Sequence, residues 1–78
     1  MPPRPRHVMP GYIHDALNER GLMNDYHARP PYQQNDYIGW ITRAKLQATR
    51  QKRLNQMLDE LEDGKLYMNM KWKSGHPL

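Results

Sequence analysis

The chain has no cysteine and no phenylalanine, and no apolar run approaches the roughly 18 residues that a membrane-spanning helix needs. Without cysteine there is no disulfide framework, no thiolate metal site and no cysteine nucleophile. Without phenylalanine the core must draw on six methionines and five tyrosines, the first adaptable and the second amphipathic. The segment Met1-Pro2-Pro3-Arg4-Pro5-Arg6-His7 carries positive charge with no apolar run behind it, so it does not read as a secretory signal. A reducing, cytoplasmic setting is the expectation.

What is present is small. A chain of 78 residues makes at most one domain, and a domain of this size buries only about 60% of the surface its unfolded form exposes. Ligand pockets need roughly 300 Å³ or more of concave space. These limits argue against a self-contained enzyme.

The formal charge of +4 invites a nucleic-acid partner. Its distribution weakens that reading. Residues 10–64 hold seven Lys/Arg against all eight acids, a net of −1, and the other five basic residues lie in the flanks.

Residues 1–9 are Pro-rich and basic and are expected to be extended and mobile. A first helix opens near Pro10, presents Tyr12, Ile13, Ala16 and Leu17 on one apolar face, and stops at Gly21. A further short turn spans Leu22 to Ala28 and ends at Arg29-Pro30-Pro31, because the residue before a proline is pushed out of helical geometry. A second helix from about Tyr32 to Ala44 presents Tyr37, Ile38, Ile41 and Ala44, with Trp40 widening the stripe. The third, from about Ala48 to Asp63, presents Leu54, Met57, Leu58 and Leu61. Gly64 follows as its stop. Neither helix is stable alone at this length, so the two must form a hairpin and pack on the first. Residues 65–78 alternate with period two, like a strand without a partner, and read as an extended basic Met/Trp arm. The expected fold is all-α: a small three-helix bundle with a flexible N-terminus and that arm.

The run Tyr37-Ile38-x-Trp40-Ile41-x-x-Ala44-Lys45-x-x-x-Thr49-Arg50-x-x-Arg53-Leu54, followed by Met57-Leu58-x-x-Leu61-x-x-Gly64-Lys65, resembles the bacteriocin-protection family, also called YdeI/OmpD-associated. Members typically read Tyr-x-x-Trp-Ile-x-x-Ala-Lys, then Glu-Thr-Arg-x-x-Arg-Ile, then Met-Leu-x-x-Gly-Lys. The matched stretch covers about half the chain and includes polar as well as apolar positions. Two features depart from the pattern: Gln47-Ala48 replaces the usual Pro-Glu, and the larger domain that often precedes this region is not in the sequence. The resemblance implies a bacterial cytoplasmic protein linked to protection against bacteriocins or envelope stress, and it implies no chemistry.

Arg43, Lys45, Arg50, Lys52 and Arg53 put five positive charges in eleven residues with no acid, and Asp59, Glu60, Glu62 and Asp63 then put four acids in five. Along the third helix this order is reversed, since acids favour a helix start and bases its end by about 0.3–1 kcal/mol per group. One account is pairing across the bundle or with a second copy lying antiparallel. The other is an anion site, with Lys45, Thr49, Arg50 and Arg53 around a helix N-terminus. A DNA-reading helix-turn-helix competes, but the acids would repel phosphates and the turn lacks glycine. Trp40 suits the core. Trp72, in the basic arm, suits either docking or packing back on the bundle.

His7, His14, His27 and His76 are too scattered to share a helix face, so no metal site is expected. No phosphate loop, nucleophile elbow or matched Ser/His/Asp set occurs, and neither a catalytic residue nor a cofactor is expected. The chain reads as a non-catalytic interaction module that binds a protein or anionic ligand through Lys45, Thr49, Arg50 and Arg53, with Arg43, Lys52 and Trp72 meeting the partner. The alternative is nucleic-acid binding by the tails and the 43–53 cluster. Self-association into a homodimer also fits the charge order.

Overall fold

The computed structural model describes residues 6–72. Helix α1 spans Gly11–Glu19, α2 Met23–Ala28, α3 Pro31–Arg43 and α4 Gln47–Asp63. Strand β1, Leu66–Tyr67, pairs antiparallel with β2, Met70–Lys71. The protein is mainly helical, and the expected short turn after Leu22 is a helix in its own right.

The stops are local chemistry. Gly21 takes a left-handed φ of 67°, which a residue without Cβ adopts without strain. Its N–H donates to Asn18 O, and that of Leu22 donates to Leu17 O, closing α1 in a Schellman motif. Leu17 and Leu22 are both buried there. Arg29 is extended (ψ 152°) before Pro30, as a residue preceding proline must be, and Pro31 opens α3. Gly64, at φ 81°, ends α4.

Tyr37 meets Glu60, Trp40 meets Arg53 and Ala44 meets Arg50. The order of these pairs shows that α3 and α4 run antiparallel. The hydrophobic core joins α1 and α2 to this pair through Ile13, Leu17, Leu22 and Tyr26 on one side and Tyr37, Ile38, Ile41, Leu54, Met57, Leu58 and Leu61 on the other. Trp40 is half-buried and packs against that cluster.

Two expectations change at the ends. The tail does not stay free up to residue 9. His7 N–H donates to Asn35 Oδ1 at 2.7 Å, and its imidazole lies on Gly39, where a Cβ would come within 2.7 Å of Nε2. Met9 reaches the core cluster. Residues 1–5 lie outside the described residues. The C-terminal arm, in turn, supplies its own partner strand. The register pairs Leu66 with Lys71 and Tyr67 with Met70, and Trp72 N–H donates to Lys65 O at 2.7 Å. Met68 and Asn69 form the turn with φ of 52° and 66°, the two positive values of a type I′ hairpin. Residues 73–78 of the arm lie outside the described residues.

Ile41 is fully buried and Val8 is 84% exposed. Ile41→Val should lower the unfolding free energy by about 0.5–1.5 kcal/mol, and Val8→Ala should change it by no more than about 0.5 kcal/mol. Urea titration of both variants checks the core assignment.

Candidate functional site

The basic cluster divides into two groups. Arg50 Nη1 donates to Ala44 O at 2.9 Å and Lys45 O at 3.1 Å. Arg53 Nη1 donates to Trp40 O at 2.6 Å, and its guanidinium lies 5.3 Å from the centre of the Trp40 ring. Both side chains therefore satisfy carbonyls at the C-terminal end of α3, to which no further turn of helix donates. Positive charge is favourable at such an end. It sits on the first half of α4 because the antiparallel turn brings that half alongside.

Arg43, Lys45 and Lys52 are exposed, and Thr49 is half-buried. The start of α4 has no side-chain cap and no acid in its first turn. Arg50 and Gln51, with Tyr12 and Gln47, line an open cleft of about 300 Å³ beside it. Leu46, 69% exposed, stands just before the helix.

Trp72 lies elsewhere. Its ring stacks on the Arg29 guanidinium, 4.5 Å from ring centre to Cζ. With Asp25, Ala28, Leu61 and Gly64 these two line a cavity of about 80 Å³. The structure thus brings Lys45, Thr49, Arg50, Arg53, Arg43 and Lys52 to one end of the bundle and leaves Trp72 apart from them.

The acids of α4 divide the same way. Asp59 and Glu62 pair with Arg20 at 3.4 and 3.3 Å, and Asp63 Oδ1 accepts from Lys65 N–H. Glu60 is 2% exposed. One carboxylate oxygen accepts from the Tyr37 hydroxyl in a short hydrogen bond and from Met68 N–H. The other accepts from Asn69 N–H and Gln56 Nε2. Arg29, also buried, donates to Glu60 O and to Gln33 Oε1. This buried network escaped the sequence reading because Glu60 stands in a run of acids and Arg29 in a Pro-flanked break. The one available signal was Asn69 between alternating residues, a turn former in a strand-like run.

Burial raises the Tyr37 pKa, the hydrogen bond to Glu60 and that residue's charge raise it further, and the Arg29 charge opposes the shift. Burial also raises that of Tyr26. Among the described residues no group of three His, Asp or Glu side chains is close enough to hold a metal ion, and no helix is long and apolar enough to cross a membrane.

A family model described as bacteriocin-protection, YdeI or OmpD-associated matches residues 7–64. No curated protein and no solved structure matches the chain. The matched stretch starts at His7, which contacts Asn35 and Gly39 of α3, and ends at Gly64.

Glu60→Gln keeps the volume but sets an NH₂ against a backbone N–H. It should cost about 1.5–3 kcal/mol, the range for hydrogen bonds to a charged group, and release amide-exchange protection at Met68 and Asn69. Unchanged stability and unchanged exchange there would refute the anchoring role. A tyrosine whose pKa is raised by folding contributes stability that is complete below its unfolded value of 10.0 and is lost as the pH climbs above it. Tyr37→Phe should accordingly flatten the alkaline limb of the stability–pH curve, measured by urea unfolding at pH values on both sides of 10.

Proposed function

The chain belongs to the bacteriocin-protection, YdeI or OmpD-associated family, and from that premise we propose that it is a non-catalytic interaction module of bacterial stress tolerance. Its partner is a protein or ligand of negative charge, met in the cytoplasm at the start of α4. One observation carries the reading. Exposed cations, Arg43, Lys45 and Lys52, flank an acid-free, uncapped helix start, where free N–H groups already favour an anion. Thr49 adds a hydroxyl on the first turn. Arg50 and Arg53, each donating from Nη1 to carbonyls at the end of α3, keep that end of the bundle positive.

The competing reading is nucleic-acid binding through the same cluster and the basic flanks. A non-specific binder of that kind must weaken steeply and linearly with the logarithm of salt concentration. The acidic second half of α4 opposes an extended phosphate track, so an acidic protein surface of limited area fits this end better.

The triple variant Arg43→Ala/Lys45→Ala/Lys52→Ala should lose capture of the wild-type partner from a native cell extract while changing stability by little more than about 0.5 kcal/mol per site, as exposed substitutions do. Arg50→Ala and Arg53→Ala should each cost more, up to about 1.5–3 kcal/mol. Retention of the partner by the triple variant would refute the reading. Salt-sensitive binding of duplex or single-stranded DNA by wild type, lost in the triple variant, would replace it with the nucleic-acid one.

A further inference from the structure

The outward face of α4 is self-complementary. Ala48, Lys52, Asn55, Asp59 and Glu62 recur at steps of four and three, so they form one stripe along the helix. It lies opposite the buried Leu54, Met57, Leu58 and Leu61, and every residue of it is exposed. Lys52 and Asp59 stand equidistant from the midpoint between Asn55 and Gln56. So do Thr49 and Glu62, and so do Ala48 and Asp63. A groove of about 530 Å³ runs along this stripe, walled on one side by Leu66 and Asn69 of the hairpin.

We propose that this face is an interface between two copies of the chain, with their α4 helices antiparallel across a two-fold axis at Asn55–Gln56. A two-fold interface requires that residue i meets j and j meets i. Lys52 of each copy then faces Asp59 of the other, and the amides of Asn55 and Gln56 face one another at the axis. The same register carries the Glu62 and Asp63 carboxylates of each copy to the other's α4 start, the end that has neither cap nor acid of its own. The charge order that is unfavourable within a single helix becomes favourable in the pair. The Arg20 ion pairs do not occupy this face fully, because the Asp59 and Glu62 side chains remain 74% and 64% exposed. No large apolar residue lies on the stripe, so the dimer is weak and electrostatic, and salt must dissociate it.

The inference uses the same end of α4 as the proposed function, with a second copy as occupant. Sedimentation equilibrium at high chain concentration and about 10 mM salt, where the Debye length is about 30 Å, should show dimer, and about 1 M salt, where it is about 3 Å, should abolish it. Lys52→Glu and Asp59→Lys should each be monomeric under the low-salt condition. Their equimolar mixture should form a heterodimer, because both contacts of the pair are then attractive. The glutamate introduced at position 52 of one variant meets the lysine introduced at position 59 of the other with reversed sign, and Asp59 of the first meets the native Lys52 of the second. A monomeric wild type at low salt, or a mixture that stays monomeric, overturns the proposal. Both variants retain Lys45, Thr49 and Arg43. Loss of partner capture by the Arg43/Lys45/Lys52 triple variant together with a monomeric wild type would therefore sink the dimer and spare the proposed function. A restored heterodimer with capture unaffected by the triple variant would do the reverse.

Discussion

The Glu60 carboxylate is taken out of water, no cation among the described residues bonds to it, and four neutral donors from three parts of the chain make that tolerable. A carboxylate offers about four acceptor positions, and all are used: Tyr37 from α3, Gln56 from α4 itself, and the Met68 and Asn69 amides from the hairpin turn. The arrangement also accounts for the turn. Met68 is left-handed, a conformation that costs a residue with a Cβ roughly 1–2 kcal/mol. Two charge-assisted bonds from successive amides offset that cost. Removing the carboxylate would therefore leave a strained turn with no reason to close.

The same site fixes the ends of the core. Arg29 reaches over α4 to Glu60 O and holds Gln33, and Trp72 covers its guanidinium. Tyr67 packs edge-on against both Tyr32 and Tyr37 and donates to Asp36. A thin core of this length cannot exclude water by bulk alone. Here the hairpin closes one side with aromatic edges while the polar network fixes its register. Buried polar groups of this kind give little net stability but leave few alternative packings.

The helices were legible because their stripes and stops are local. Ile13 and Leu17, Tyr37 to Ile41 and Leu54 to Leu61 lie buried as helical spacing implies, although Tyr12 of the first stripe is 45% exposed. Gly21, Pro30 and Gly64 break the chain where their backbone preferences demand. Boundaries moved by a residue, with α4 opening at Gln47 rather than Ala48. The candidate site was legible only as a collection of charges. Spacing along one helix cannot reveal that Arg50 and Arg53 face carbonyls of the preceding helix, or that Glu60 turns inward while Asp59 and Glu62 turn out. Those distinctions depend on the antiparallel packing of α3 and α4. The hairpin was hidden for a similar reason: two residues per strand carry too little pattern, and the closing interaction comes from Glu60.

The reversed charge order of α4 now separates into parts with different causes. Arg50 and Arg53 serve the end of α3, Glu60 and Asp63 serve the hairpin and its approach, and Asp59 and Glu62 serve Arg20. Each lies where a neighbouring element has the opposite polarity, so the helix meets its neighbours' requirements at the expense of its own dipole. Arg43, Lys45 and Lys52 have no such internal task among the contacts described. Arg43 lies in the last turn of α3, where positive charge suits that helix's dipole, whereas Lys52 gains nothing from the field of its own helix. On this chain those charges sit at one end, beside an open helix start and across from a complementary acidic half-turn. The proposed acidic partner and the proposed second copy of α4 have one property in common, negative charge over a short length.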